Sequence, residues 1–332
     1  MRNESLGDVL KVWLYALAAV LLGAWMCPLL YNAGKALAEV SASKATNGPL
    51  AWLAKQCRLA DFPRFFEAGM LLAAVVLFFP WMEWIHARRG TVADSGGPWR
   101  VRLPDGARVA VRGQRLEKNP RGKWHLCAGF LLAAGLLLSM GVALVPAGAL
   151  PSIRHPGGGL PEMVLRSLAM ALVMAAVMEL FFRGIVMGIF LRAMRPAAAL
   201  GMSAAFFALV LSVIPPAGVN VADPEAARPG FEMLRLLGMR FAEPGAILGH
   251  FLPLLALGGV LAYARWRTAS LWLPAGLHAG WWFSKNLLAE LNAVPSQSWL
   301  LDGMVPMAAI MMAGVLAHFL SSNPADADAP HF

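Results

Sequence analysis

Eight stretches of about 20 mostly apolar residues constrain the fold of this chain more than any other feature. A helix needs roughly that length to cross the hydrocarbon core of a bilayer. The chain is 58% hydrophobic and only 14% charged, whereas a soluble globular chain carries about 25% charge. A soluble core could not bury so much apolar surface, and the same composition excludes disorder for the bulk of the chain. The stretches lie at about 10–31, 65–86, 124–148, 164–191, 197–216, 245–264, 269–289 and 299–320.

The fold class predicted from these stretches is all-α, a polytopic membrane bundle of about eight transmembrane helices with a cytoplasmic β-hairpin insert. Residues 1–86 are predicted to form an N-terminal transmembrane pair with a long external loop, and residues 124–320 the main bundle. The basic insert comprises residues 87–123, and residues 321–332 form a polar tail. The first apolar run does not read as a cleavable signal peptide, because it is too long and acidic Glu4 and Asp8 precede it.

The lysines and arginines of the loops predict the orientation, because cytoplasmic loops of membrane proteins are enriched in these residues. With eight spans, the side that holds both termini carries 15 Lys and Arg residues, and the opposite side carries 9. Ten of the 15 lie in the basic insert. We therefore predict an integral protein of the inner or plasma membrane with both termini in the cytoplasm.

The basic insert contains the pattern of a β-hairpin. Apolar and polar residues alternate over 99–103 and 108–111, and Pro104-Asp105-Gly106 forms a turn between them. The basic face could bind anionic lipid headgroups, or the hairpin could be solvated and its charge only enforce the topology. The net charge of +9 is typical of cytoplasmic loops, so membrane lipids are the expected partners and no nucleic acid is.

Four ionisable side chains inside the apolar stretches mark candidate sites, since charge is costly in a bilayer. Glu179 and Arg183 lie in the fourth stretch, one turn apart on one helix face, His250 lies in the sixth stretch and His278 in the seventh. Counting back at about 1.5 Å per residue from the arginines that flank each stretch places all four about 14–22 Å deep. They could form one buried site. Alternatively, the Glu–Arg pair could neutralise itself and the histidines be hydrogen-bonded core residues.

No cofactor or metal site is predicted from the sequence. Cys27, Cys57 and Cys127 are scattered, without the paired spacing of a disulfide framework or a zinc site. One acid and two histidines of the buried set could in principle ligate a metal, but the H-E-x-x-H spacing of zinc peptidases does not occur. Nucleotide and flavin motifs do not occur either.

Two of these segments resemble the CPBP family of membrane proteins, which comprises CAAX prenyl proteases and bacteriocin-processing or self-immunity proteins. Residues 178–184, MELFFRG, resemble the family's first motif, E-E-x-x-x-R followed by Gly. Residues 267–283, RTASLWLPAGLHAGWWF, resemble its third motif, H-x-x-x-N after a T-G-S-L-W-x-P turn. The resemblance covers about 160–290, and it implies a membrane-embedded site for peptide hydrolysis.

Three positions depart from the family's motifs. Met178 takes the place of the first Glu, and Trp282 the place of the Asn. Leu211 takes the place of the His in the second motif, F-x-x-x-H, whose Phe is Phe207. The resemblance implies that the first Glu and the second-motif His activate water and that the third-motif His and Asn bind the oxyanion, while the remaining Glu–Arg pair orients the site. Methionine and leucine cannot accept a proton from water, and one lost oxyanion donor alone costs about 10²–10³ in rate.

The predicted function is therefore that of a CPBP-family membrane protein whose proteolysis is lost or impaired, and which binds a peptide or a transmembrane segment of another membrane protein. One alternative is an active intramembrane peptidase. In it Glu179 acts as the base, Arg183 holds Glu179, His278 donates to the oxyanion, and His250 stands in for the missing histidine. A second alternative is a membrane transporter that uses the Glu–Arg–His cluster for protons or anions. Whether prenylated substrates are relevant stays open.

Overall fold

The computed structural model describes residues 2–44, 47–86, 121–144, 159–216, 218–268, 270–291 and 303–321. The regular structure of these residues is helical, and they contain no strand. This confirms the all-α part of the predicted fold. The predicted hairpin at 99–111 lies outside the described residues, and nothing in the described part of the chain supports it.

The helices occur in the following order along the chain. The α-helices are α1 (Arg2–Ser43), α2 (Pro49–Leu59), α3 (Phe62–His86), α4 (Gly122–Leu144), α5 (Leu160–Glu179), α6 (Met187–Ala193), α7 (Pro196–Ser212), α8 (Pro229–Arg240), α9 (Pro244–Ala246), α10 (Leu252–Thr268), α11 (Trp272–Leu291) and α12 (Val305–Ser321). A first π-helical segment, Leu180–Val186, joins α5 to α6, and a second, Ile247–Phe251, joins α9 to α10.

Five helical stretches of the described residues are long and apolar enough to cross a membrane. The predicted count of eight spans is therefore not supported. Helices lie within all eight predicted stretches, but α7 and α12 have only 17 residues each, which is about 26 Å of helix. In α11, His278, Lys285 and Asn286 lower the mean hydropathy. The five stretches are Leu6–Ser43, Phe62–Ile85, Gly122–Gly141, Leu160–Ala193 and Pro244–Thr268.

The chain divides into two compact units. One comprises Asn3–Asp94 and Val210–Pro244, and thus α1, α2, α3 and α8. The other comprises Ser95–Leu209 and Gly245–Phe332. It holds α4, α5, α6, most of α7, and α10 to α12. The second unit contains all four of the predicted site residues.

Two lysines of α1 donate hydrogen bonds to the C-terminal ends of neighbouring helices in the first unit. Lys11 donates to the carbonyl oxygen of Trp84 near the end of α3, at 3.0 Å. Lys35 donates to the carbonyl oxygens of Cys57 and Ala60 at the end of α2, at 3.1 and 2.8 Å. The last carbonyls of a helix lack partners within the helix and form the negative end of its dipole. A lysine at the end of each helix donates hydrogen bonds to these carbonyls, and its positive charge balances the negative end of the dipole.

In the second unit, small residues allow α11 to pack closely against α4 and α5. A Cβ atom on Gly276 or Gly280 of α11 would overlap the backbone carbonyl oxygens of Leu126 and Phe130 in α4. On α5, every fourth residue from Ser167 to Glu179 is buried, and Ala171 packs in one cluster with Phe283 and Leu287 of α11. Helices associate in this way in membranes, where backbone contact replaces the hydrophobic effect. His278 lies two residues from each of these glycines, and a step of two residues directs its side chain to the opposite side of α11.

Replacing Gly276 with alanine is expected to destabilise the protein by about 1–3 kcal/mol, because the added methyl group would force α11 away from the backbone of α4. The matched control is Gly135→Ala in α4, where a Cβ would meet nothing within 4 Å. Glycine-to-alanine changes inside helices otherwise stabilise by about 0.5–1 kcal/mol. Unfolding midpoints in detergent should therefore shift in opposite directions, and equal shifts would contradict the close packing.

Candidate functional site in the second unit

Glu179 and Arg183 lie where α5 changes into the first π segment. Glu179 is the last residue of α5, and Arg183 lies within Leu180–Val186. Both residues are 1% exposed. A π segment holds an extra residue in its turn, and such segments occur frequently at functional sites. The row of buried residues on α5 thus ends at the carboxylate of Glu179, and the positive charge of Arg183 follows one turn later.

One carboxylate oxygen of Glu179 collects two hydrogen bonds. Arg183 Nη1 donates to Oε1 at 3.1 Å, and His278 Nδ1 lies 2.7 Å from the same oxygen. The other end of the guanidinium, Arg183 Nη2, donates to the carbonyl oxygen of Gly258 in α10 at 3.2 Å. The ion pair is fully enclosed. Burial of two charges is tolerated only because each charge has its partner and these additional hydrogen bonds are present.

His278 uses both of its ring nitrogens. Trp282 Nε1 donates to His278 Nε2 at 3.0 Å, and an indole N–H can only donate. The Nε2 atom must therefore be an unprotonated acceptor, so the proton of the neutral ring lies on Nδ1 and is donated to Glu179. The order of donation runs from Trp282 through His278 to Glu179, and the negative charge of the carboxylate is balanced by Arg183.

Phe207 of α7 closes the cluster on another side. Its ring centroid lies 4.2 Å from Arg183 Cζ and 5.7 Å from the centroid of the His278 ring, which it meets nearly edge-on. A cation over a desolvated aromatic face gains up to about 2 kcal/mol. The guanidinium is thus held by a carboxylate, a backbone carbonyl and a ring.

Two buried atoms of the cluster have no hydrogen-bond partner among the described residues. They are Glu179 Oε2 and Arg183 Nε. Oε2 is the one acceptor of the cluster that could take a proton from a water molecule or a hydroxyl group. In the described part of the chain, no group of three or more His, Cys, Asp or Glu side chains could hold a metal ion.

The structure brings together three of the four side chains predicted as site residues. Glu179, Arg183 and His278 form one hydrogen-bonded cluster. His250 is the fourth predicted site residue. It lies half-buried in the second π segment, eight residues before Gly258. The catalytic roles assigned to these residues stay predictions.

The positions that depart from the family motifs border the cluster along the chain. Met178 is half-buried and directly precedes Glu179. Leu211 is buried on α7, one turn after Phe207. Trp282 takes part in the cluster directly. In the sequence, Trp282 is recognised only as the replacement of an asparagine, and its role as a hydrogen-bond donor is missed. Its i,i+4 spacing from His278 on one helix does indicate a contact between the two side chains. The contact of Arg183 with the Gly258 carbonyl left no signal in the sequence.

One comparison with known proteins finds a match. The family model described as Type II CAAX prenyl endopeptidase Rce1-like matches residues 160–284. The matched segment covers less than half of the 332 residues, but it contains the whole cluster and all three departing positions. No curated protein and no solved structure matches the chain.

Proposed function

We propose that this integral membrane protein, whose residues 160–284 match the Rce1-like family model of type II CAAX prenyl endopeptidases, is a non-proteolytic member of the CPBP family. In this proposal the CPBP core holds a peptide or a transmembrane segment of another membrane protein and does not cleave it. The proposal combines the retained family segment with the loss of the family's water-activating residues.

The observation that carries the proposal is the closed chain of hydrogen bonds through His278. An oxyanion needs N–H donors aimed at the place where the charge develops. His278 Nε2 accepts from Trp282, and Nδ1 is directed at Glu179 Oε1. Neither nitrogen of His278 is available as a donor to substrate in this arrangement. The asparagine of the family motif is replaced by Trp282, and the indole of Trp282 occupies the Nε2 atom of His278.

The missing base supports the same conclusion. Met178 and Leu211 stand where the family motifs have Glu and His, and neither side chain can take a proton. A general base contributes about 10²–10⁴ in rate and an oxyanion donor about 10²–10³. The two losses together remove most of what the family's own route supplies.

A second candidate function is an active peptidase that uses Glu179 itself as the base. The observation that favours it is Glu179 Oε2, a buried acceptor without a hydrogen-bond partner among the described residues. Such an oxygen could receive the proton of a water molecule. This candidate still requires His278 to release Trp282 before it can donate to an oxyanion. For the transporter alternative we find no comparable supporting observation.

Peptide hydrolysis by the purified protein in liposomes distinguishes the two candidates. Wild-type protein and the isosteric Glu179→Gln variant are incubated with quenched fluorescent peptides and with single transmembrane peptides. We expect both proteins to cleave at the same background rate and labelled transmembrane peptides to bind saturably and intact. Turnover by the wild type that disappears in a folded Glu179→Gln variant would contradict the proposal and favour Glu179 as the base.

The proposed topology keeps both termini in the cytoplasm of an inner or plasma membrane, with eight spans and the basic insert on the same side. The distribution of Lys and Arg supports this orientation. Helices α7 and α12, at about 26 Å, are slightly shorter than a hydrocarbon core of about 30 Å, which local thinning or flanking polar side chains can accommodate. A reporter enzyme fused after Phe332 would read the location of the C-terminus.

A further inference from the structure

Arg265 is a buried cation in the last turn of α10 whose charge no described side chain balances. The residue is 8% exposed, and its Nε atom is fully buried without a hydrogen-bond partner among the described residues. An isolated buried charge is strongly unfavourable, so buried arginines are normally paired. Arg183 in the same unit follows that rule. Arg265 does not, and this calls for an anion that the described residues do not provide.

The described carboxylates of the second unit are all placed elsewhere. Glu179 is bound to Arg183 and His278. Glu290, near the end of α11, pairs with Arg166 in the early part of α5, and Glu162 lies in the first turn of α5. The start of α11 follows α10 directly, and the 20 residues of α11 span about 30 Å. The two surface carboxylates are therefore at the far end of α11 from Arg265.

The surroundings of Arg265 add positive potential to the same place. Arg267 belongs to the same last turn. Thr268, one turn after Arg265, donates to the carbonyl oxygens of Ala264 and Ser270 at 2.8 and 3.1 Å. These bonds tie the short connection to the end of α10, and α11 begins directly after it, at Trp272. The positive end of the α11 dipole and the negative end of the α10 dipole both lie here and offset each other, so the two arginines dominate the local charge.

We propose that Arg265 is the centre of a binding site for the anionic phosphate group of a phospholipid. Guanidinium groups bind phosphate oxygens with paired, charge-assisted hydrogen bonds. Arg265 lies three residues before the end of the membrane-spanning stretch Pro244–Thr268, which is the depth where lipid headgroups are found. A phosphate there would compensate a charge that is otherwise buried at a cost. The inference is independent of whether the protein cleaves peptides.

Lipid-dependent stability tests the site. Wild-type protein, Arg265→Met and the control Arg195→Met are stripped of lipid in a nonionic detergent, and their unfolding midpoints are measured. Arg195 is an exposed arginine between α6 and α7, so the control removes the same charge from an open position. Each protein is then titrated with phosphatidylglycerol, with phosphatidylcholine and with inorganic phosphate.

Without lipid, Arg265→Met is expected to unfold at the same temperature as wild type or higher, since it removes an uncompensated buried charge. Phosphatidylglycerol should raise the midpoint of wild type and of Arg195→Met, while the apparent affinity of Arg265→Met for it should fall about 10-fold or more. An equal response of all three proteins, or a loss of stability in Arg265→Met without lipid, would overturn the proposal. A response to inorganic phosphate as strong as that to phosphatidylglycerol would overturn the assignment to a lipid and leave a soluble phosphate as the ligand.

Discussion

Replacing Glu179 with alanine is expected to lower the free energy of unfolding by about 3–5 kcal/mol, because Arg183 would stay buried without its counter-ion. The guanidinium would keep the Gly258 carbonyl and the rings of Phe182 and Phe207, none of which carries a negative charge. The Nδ1–H group of His278 would lose its acceptor as well. The measurement is the unfolding midpoint, with denaturant titration, of both proteins in the same detergent.

Two further variants make this result specific to the buried cluster. The double change Glu179→Leu with Arg183→Met removes both charges, and most of the lost stability should return, apart from the part due to the unpaired Nδ1–H group of His278. Glu290→Ala breaks the exposed pair with Arg166 and should cost less than about 1 kcal/mol. A loss in Glu179→Ala no larger than in Glu290→Ala would mean that the carboxylate is not committed to Arg183, and it would then be available as a base.

The expected size of this effect bears on function. A carboxylate that works as a base has to exchange protons with a water molecule during turnover. Glu179 instead holds a buried guanidinium and the proton of a histidine, so its protonation would disrupt the packing of α5, α10 and α11 together. A loss of stability of the expected size would identify the ion pair as a structural element of the core, in agreement with the proposed loss of hydrolysis.

The helical architecture could be predicted well because it depends on a strong local signal. Runs of about 20 apolar residues have few structures open to them other than a helix, and helices lie within all eight predicted stretches. The number of spans could not be predicted as well. The apolar run at 197–216 extends beyond the 17-residue helix α7, since composition does not mark where a helix ends.

Much of the candidate site could also be predicted, because depth in a membrane can be read from sequence distance. Glu179 and His278 were placed within about 4 Å of each other in depth, and they are hydrogen-bonded in the structure. The same argument groups His250 with them, and that placement stays a prediction, because depth does not define which side of a helix a residue faces. His250 lies in the second π segment. The extra residue of a π turn rotates the direction of the side chains that follow, and no sequence pattern predicted this segment.

The largest effect on activity is expected from restoring the three lost motif residues. Trp282→Asn removes the indole that occupies His278 Nε2, which frees this nitrogen to carry a proton toward a substrate oxygen. Met178→Glu and Leu211→His return two groups that can accept a proton. We expect the triple variant to hydrolyse transmembrane or C-terminal peptides at least about 10²-fold faster than wild type, since base and oxyanion donor each contribute that much.

The control is the same triple variant with Met178→Gln in place of Met178→Glu, which keeps the size and polarity of the side chain but supplies no carboxylate. Its rate should fall about 10²-fold or more below that of the triple variant, because the carboxylate that accepts the proton of water is missing. If the triple variant folds with a normal unfolding midpoint but gains no activity over this control, the three replacements do not explain the absence of hydrolysis. Residues 160–284 would then have to differ from proteolytic CPBP proteins in the path by which substrate or water reaches Glu179, and not in their chemical groups.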